Sequence, residues 1–159
     1  MERLWTPWRM AYIKGAERME GCIFCDLPGE NDDDKTLILG RGDRAYVIMN
    51  KFPYNSGHLM VAPFRHVADL RELEPAELEE IMAWSQRCMQ ALQETMTPHG
   101  YNVGINQGTV AGAGVKDHIH QHVVPRWGGD TNFMTTVGEV KVLPESLEET
   151  YAKLKPHFA

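Results

Sequence analysis

No stretch of this 159-residue sequence stays apolar long enough to cross a bilayer, so no membrane-spanning helix is expected. Cysteine is scarce. Cys22, Cys25 and Cys88 make an odd count with one close pair, so no disulfide framework is expected, and the setting reads as reducing and cytoplasmic. Positive charge is in deficit: 16 Lys and Arg against 22 Asp and Glu give a formal net charge of −6. A nucleic-acid polymer needs a concentrated cationic face, so that class of partner is excluded. A phosphate-bearing ligand must therefore be held by local groups rather than by the overall field. There is no internal repeat and no low-complexity tract. Residues 1–13, with Trp5, Pro7 and Trp8, lack the charged-then-apolar layout of a secretion signal. What is present, 43% apolar and 24% charged residues, is the balance of one globular domain.

Hydropathy and turn residues divide the chain. Residues 29–35, with Asp32, Asp33 and Asp34, read as a solvated acidic loop. Residues 36–39 and 45–49 are short apolar runs around Gly40, Arg41, Gly42 and Asp43, and predict a hairpin. A turn at Pro53, Asn55, Ser56 and Gly57 leads to a third strand at 58–62, closed by Pro63. Residues 74–95 predict the longest helix. Pro75 and nearby acids suit its first turn, and Leu78, Ile81, Met82, Cys88, Met89 and Leu92 form its apolar stripe. Strands follow at 101–106 and 118–124, the latter stopped by Pro125, and a last helix spans 144–154. The expected fold is α+β, an antiparallel five-stranded sheet meander with packed helices.

The chemistry concentrates in Asp117-His118-Ile119-His120-Gln121-His122-Val123-Val124-Pro125-Arg126-Trp127. On a strand, alternate side chains share a face, so His118, His120 and His122 line one side, roughly 6–7 Å apart. Three uses are open to such a face: hydrogen-bonded packing, a metal site, or catalysis with one imidazole as nucleophile.

This segment resembles the signature of the histidine-triad family. The context agrees: Met49-Asn50-Lys51-Phe52-Pro53, Gly57-His58-Leu59-Met60-Val61-Ala62-Pro63 and Arg65-His66-Val67 resemble the family's first half, and Gly104-Ile105-Asn106-Gln107-Gly108 resembles its approach to the triad. The resemblance runs from about Cys22 to Trp127, so residues 22–127 are expected to be the core of a single domain, with 1–21 and 128–159 as extensions. Leu4-Trp5-Thr6-Pro7-Trp8-Arg9 and the stretch from Pro125 to Phe133 resemble a bacterial branch that includes diadenosine tetraphosphate phosphorylases and related hydrolases. Two departures stand out. Gln121 replaces an apolar residue between the second and third histidines. The stretch Ala111 to Lys116 lacks the Ser or Thr that many members place before the triad.

The resemblance implies that His120 is the nucleophile, forming a covalent nucleotidyl intermediate that water or inorganic phosphate resolves. His122 would bond phosphoryl oxygens or assist the leaving group, Asn106 would contact the phosphates and Asn50 the ribose. Phe24, Ile48 and Met60 would line an apolar slot for the base, with core packing an equal use for the last two. Backbone N–H groups of the loop bearing Gly112 and Gly114 would replace the missing hydroxyl. Trp127 would stack on a base or simply pack behind the strand. Lys116 or Arg126 would receive inorganic phosphate, or serve as surface charges.

Cys22-Ile23-Phe24-Cys25 is half of a metal site or a redox pair without its usual context. In zinc-bearing relatives the other ligands resemble His66 and His118, which implies a structural Cys2His2 zinc; two free thiols are the alternative. Relatives also imply a homodimer. Two other functions remain open: hydrolysis of nucleoside phosphoramidates or adenylyl conjugates, and non-catalytic nucleotide binding as an adaptor.

Overall fold

The computed structural model describes residues 21–131 and 143–159. The segment from Leu4 to Arg9, and Asn132 and Phe133, lie outside them. Two short helices, α1 (Ile23–Gly29) and α2 (Asp33–Thr36), precede the sheet. The predicted acidic loop is thus largely helical: Asp32 caps α2 by accepting from Lys35 N, and Leu37 then turns the chain in the left-handed region. The hairpin is β1 (Ile38–Arg41) and β2 (Ala45–Met49), so Thr36 belongs to α2 rather than to a strand. The third strand, β3 (Leu59–Pro63), includes the proline expected to close it.

The long helix α3 (Pro75–Met96) starts one residue inside its prediction. Glu74 and Glu77 form a reciprocal capping box around Pro75. Its buried face centres on Glu77, Ile81, Ser85, Cys88 and Leu92, so two members of the predicted stripe, Leu78 and Met82, are exposed, at 38% and 54%. Two polar side chains take the covered positions because each has a partner. Glu77 holds Arg65, and Ser85 accepts from Gln121 Nε2 at 2.5 Å while donating to Ile81 O at 2.8 Å. Cys88 is fully buried, as expected of a small hydrophobe, and burial pushes its thiol far above the ordinary value.

After α3 come β4 (Gly100–Ile105) and β5 (Gln121–Arg126), and finally α4 (Leu147–Leu154), shorter than predicted because Ser146 caps it. All strand pairs are antiparallel and the order is β1-β2-β3-β5-β4. The first three strands form a meander. α3 then carries the chain to the far edge, and β5 returns between β3 and β4. Pro125 does not stop β5. The β3–β5 pairing ends at Val123, and Pro125 faces only Tyr101 of β4, so its missing N–H deprives no neighbour.

The sheet is covered on both sides, which is why β2 and β3 are buried at every residue. Val47, Met49, Leu59, Val61 and Val123 face α3 and α4. Tyr46, Ile48, Met60 and Ala62 face the opposite way, where Phe24 of α1 covers them. The histidines emerge on this second face.

Candidate active site and metal centre

The Gly57-His58 turn delivers the first imidazole. Gly57 has φ +77, and a Cβ there would meet Leu92 and Met96 at 2.8 and 2.9 Å, so the close approach of this turn to α3 admits glycine alone. His58, Met60, His118, His120 and His122 are all buried. The triad is not wholly on a ladder: His118, Ile119 and His120 precede β5, and only His122 lies within it. The expected alternation nevertheless holds at Ile119, which packs in the helix-side core while its N–H donates to Val67 O.

Hydrogen bonds fix the tautomer of each ring, and His120 differs from the other three. His118 Nε2 donates to Pro63 O at 2.8 Å, which leaves its Nδ1 lone pair facing Cys22 Sγ at 3.3 Å and Cys25 Sγ at 3.5 Å. His120 Nδ1 donates to His118 O at 2.9 Å, which leaves Nε2 as the unprotonated, nucleophilic nitrogen. His58 Nδ1 accepts from Tyr54 N at 3.1 Å and lies 3.3 Å from the Asn50 amide nitrogen, so the proton of His58 is on Nε2. That Nε2 donates to His122 Nδ1 at 2.9 Å, which puts the proton of His122 on its own Nε2. One ring therefore offers a lone pair and its neighbour a proton, with centroids 4.9 Å apart. Burial lowers the pKa of both His118 and His120, which favours the neutral imidazole that attack requires.

The row Ile48, Met60, His122, Gly104 runs across the sheet through paired strands. Ile48 and Met60 thus flank His122 on the apolar side, while a Cβ at Gly104 would meet nothing within 4 Å, so the site is open on that flank. Asn106 sits half-buried one residue beyond the Ile105–Gln121 pair. The other candidates have these surroundings. Asn50 accepts from Phe52 N as well as approaching His58. Phe24 is 1% exposed and packs its ring on His120 and His118. Gly112 N–H donates within its own loop to Thr109 O, and Gly114 lies in an exposed turn. Trp127 Nε1 donates to Met96 O at the end of α3. Lys116 is exposed, whereas the Arg126 guanidinium is held by Asp130 and Asn102.

Two features were not foreseen. In the sequence His58 opens a strand and belongs to a segment that resembles the family, with no role of its own; its place beside the triad needs the Met60–His122 register to become visible. Asp130 gathers Arg126, Trp127 N and Asn55 Nδ2, and Asn55 Nδ2 also bonds Pro125 O, so the chain after the triad is clipped to the turn that carries His58. Arg126 beside Asp130 holds that carboxyl far below the usual carboxylate range.

Cys22, Cys25, His66 and His118 bring their ligating atoms within 4.8 Å of one another, and Cys25 Sγ lies 3.3 Å from His66 Nδ1. The set fits zinc chemically: two sulfurs and two imidazole nitrogens, with His118 already fixed in the tautomer that presents Nδ1 as a ligand. Burial and the neighbouring Cys22 push the Cys25 thiol up to about 11, so binding of a metal must displace a proton.

A model of the HIT domain family matches residues 31–129. The chain is 41% identical to an AP-4-A phosphorylase of Mycobacterium tuberculosis, over 100% of this chain and 85% of that protein. It is 32% identical to a HIT-like protein of Mycoplasma genitalium, over 82% of this chain and 89% of the relative. Among solved structures, a Zn-bound histidine triad family protein from Mycobacterium smegmatis superposes with a TM-score of 0.69 at 27% identity, over 87% of this chain and 93% of that one.

Proposed function

The chain belongs to the HIT domain family, and from that premise we propose that it is an enzyme that splits dinucleoside polyphosphates, diadenosine tetraphosphate foremost, through a nucleotidyl-His120 intermediate. The observation that carries this reading is the bond from His120 Nδ1 to His118 O, which leaves Nε2 with its lone pair in a buried ring of lowered basicity. Nε2 attacks the α-phosphorus. The P–N bond forms as the bond to the bridging oxygen breaks, and nucleoside triphosphate departs. The Nε2–H of His122 donates a hydrogen bond to that leaving oxygen, which departs as the anion, and later to the phosphoryl oxygens as the second nucleophile, its own proton passing to solvent, displaces neutral His120. Water in that step releases AMP; inorganic phosphate releases ADP. The relative from M. tuberculosis is named a phosphorylase, which favours phosphate as the acceptor.

Asn106 is assigned to the phosphates and Ile48 and Met60 to the apolar flank of the base. Zinc held by Cys22, Cys25, His66 and His118 would supply structural cross-linking rather than Lewis-acid chemistry. A two-fold dimer is supported by the edge of β4, which pairs with no further strand among the described residues and where Val103 is 44% exposed. Among the described residues no helix is long and apolar enough to cross a membrane.

The test is turnover of diadenosine tetraphosphate with and without inorganic phosphate. ATP with ADP is expected when phosphate is present, together with an AMP adduct on the chain by intact mass. His120→Ala should lose about 10³-fold or more in kcat and form no adduct. Full turnover by that variant would end the proposal.

A further inference from the structure

The metal ligands and the nucleophile meet at one aromatic ring. Phe24 lies between Cys22 and Cys25 in sequence, and its ring centroid is 4.5 Å from that of His120, tilted by 30°. The same ring is 5.4 Å from His118. It is covered on its remaining sides, at 1% exposure, and its carbonyl accepts from Tyr46 Oη at 2.8 Å. Phe24 therefore has little room to move unless α1 moves with it.

α1 has few means of its own to stay in place. It has seven residues, contains Pro28, and Cys22 at its N-cap makes no side-chain cap bond. A helix this short is unstable by itself, so tertiary ties must seat it. Besides the packing of Phe24, Ile23 and Leu27 on the sheet and the Tyr46 and Arg41 hydrogen bonds to its carbonyls, those ties are the two cysteines at its first turn, which face His66 and His118. Among the described residues, His120 is hydrogen-bonded at one nitrogen only; packing on the ring face must set the direction in which Nε2 points.

Resting on the functional reading above, we propose that Phe24 is a positioning residue that transmits metal occupancy of the Cys22–Cys25–His66–His118 centre to the ring of His120. With zinc bound, the knuckle seats α1 and the Phe24 ring holds Nε2 on the line of attack. Without it, α1 shifts on the sheet and the imidazole swings about its Nδ1 bond. A second route is conceivable through the backbone, because His118 both faces the metal centre and accepts from His120. The two routes make different predictions for Phe24.

The experiment is a four-cornered cycle: the wild-type chain and Phe24→Leu, each zinc-loaded and chelator-stripped, with Phe24→Met as a second variant whose unbranched side chain adapts to the space. One readout is the single-turnover rate of AMP-adduct formation. The other needs no substrate: long-range proton–nitrogen spectra of the His120 ring, whose carbon-bound protons feel the ring current of Phe24. Stripping zinc should slow adduct formation by the wild-type chain about 10-fold and move the His120 ring signals. Loaded Phe24→Leu and Phe24→Met should be similarly slow, hold zinc as tightly as wild type, and lose less than about 2-fold more on stripping. Losses that multiply, or a loaded Phe24 variant as fast as wild type, would assign the coupling to the backbone and overturn the role of Phe24; so would variants that release zinc. If no adduct forms on the wild-type chain, the functional reading fails by itself, and the ring spectra still decide whether metal and imidazole are coupled.

Discussion

At the scale of single residues, the site works by commitment of one nitrogen on each imidazole. His58 illustrates the principle at one remove from substrate. Its Nε2–H occupies His122 Nδ1 and so keeps the His122 proton on the nitrogen proposed to serve the leaving group. His58→Ala should lower kcat about 10²-fold with little change in KM, as expected when the partner that fixes a catalytic tautomer is lost. An adenosine phosphoramidate, whose leaving amine is far more basic than a triphosphate oxygen, should lose further; equal losses on both substrates would refute the proton-holding role. The triad itself was legible because alternate residues of an extended segment share a face. His58 was not, because its partner is 64 residues away and only the pairing of Met60 with His122 joins them. Phe24 was read as part of a base slot; nothing in the sequence spacing placed its ring against His120.

At the scale of elements, α3 shows how buried polar groups set helix orientation. Its apolar stripe was legible from the period, but its rotation was not, because Glu77 and Ser85 occupy covered positions by virtue of partners on other elements. Ser85→Ala should leave the buried Gln121 amide without its acceptor, at about 1–3 kcal/mol of unfolding free energy in urea titrations. Adding Gln121→Leu should recover most of that loss, since removing both polar partners is nearly neutral. Glu77 carries a pH signature. The Arg65 hydrogen bond lowers its pKa from 4.5, so its stabilisation is complete above the ordinary glutamate value and is lost as pH falls through the folded one. Glu77→Gln should destabilise by about 1–2 kcal/mol at neutral pH, an amount limited because Arg65 is half open to water. The gap should narrow as pH falls below the ordinary glutamate value and close only below the depressed folded one, where both chains lack the charge. Because Arg65 directly precedes His66, the same pair ties down the chain beside one of the candidate metal ligands.

At the scale of the molecule, one sheet separates two tasks: its helix-covered side supplies the main core, and its other side holds the imidazoles of the site, Cys22, Cys25 and α1. The α+β class was legible, since alternation and turn residues marked the strands. The insertion of β5 between β3 and β4 was not, because strand order depends on how α3 packs across the sheet rather than on any local pattern. Stripping zinc should lower the melting temperature, and the midpoint should rise with free zinc, because the four ligands are gathered only in the folded chain. A midpoint indifferent to zinc would remove the structural metal from the account. The proline within β5 has a further consequence for how the chain finds this arrangement. Sliding β5 by one residue against β3 would turn every imidazole to the wrong side. Sliding it further, so that Pro125 lay between two neighbours, would interrupt a ladder that needs its donor. The residue would thus act as an end-stop, disfavouring misaligned sheets in which His122 could not meet His58.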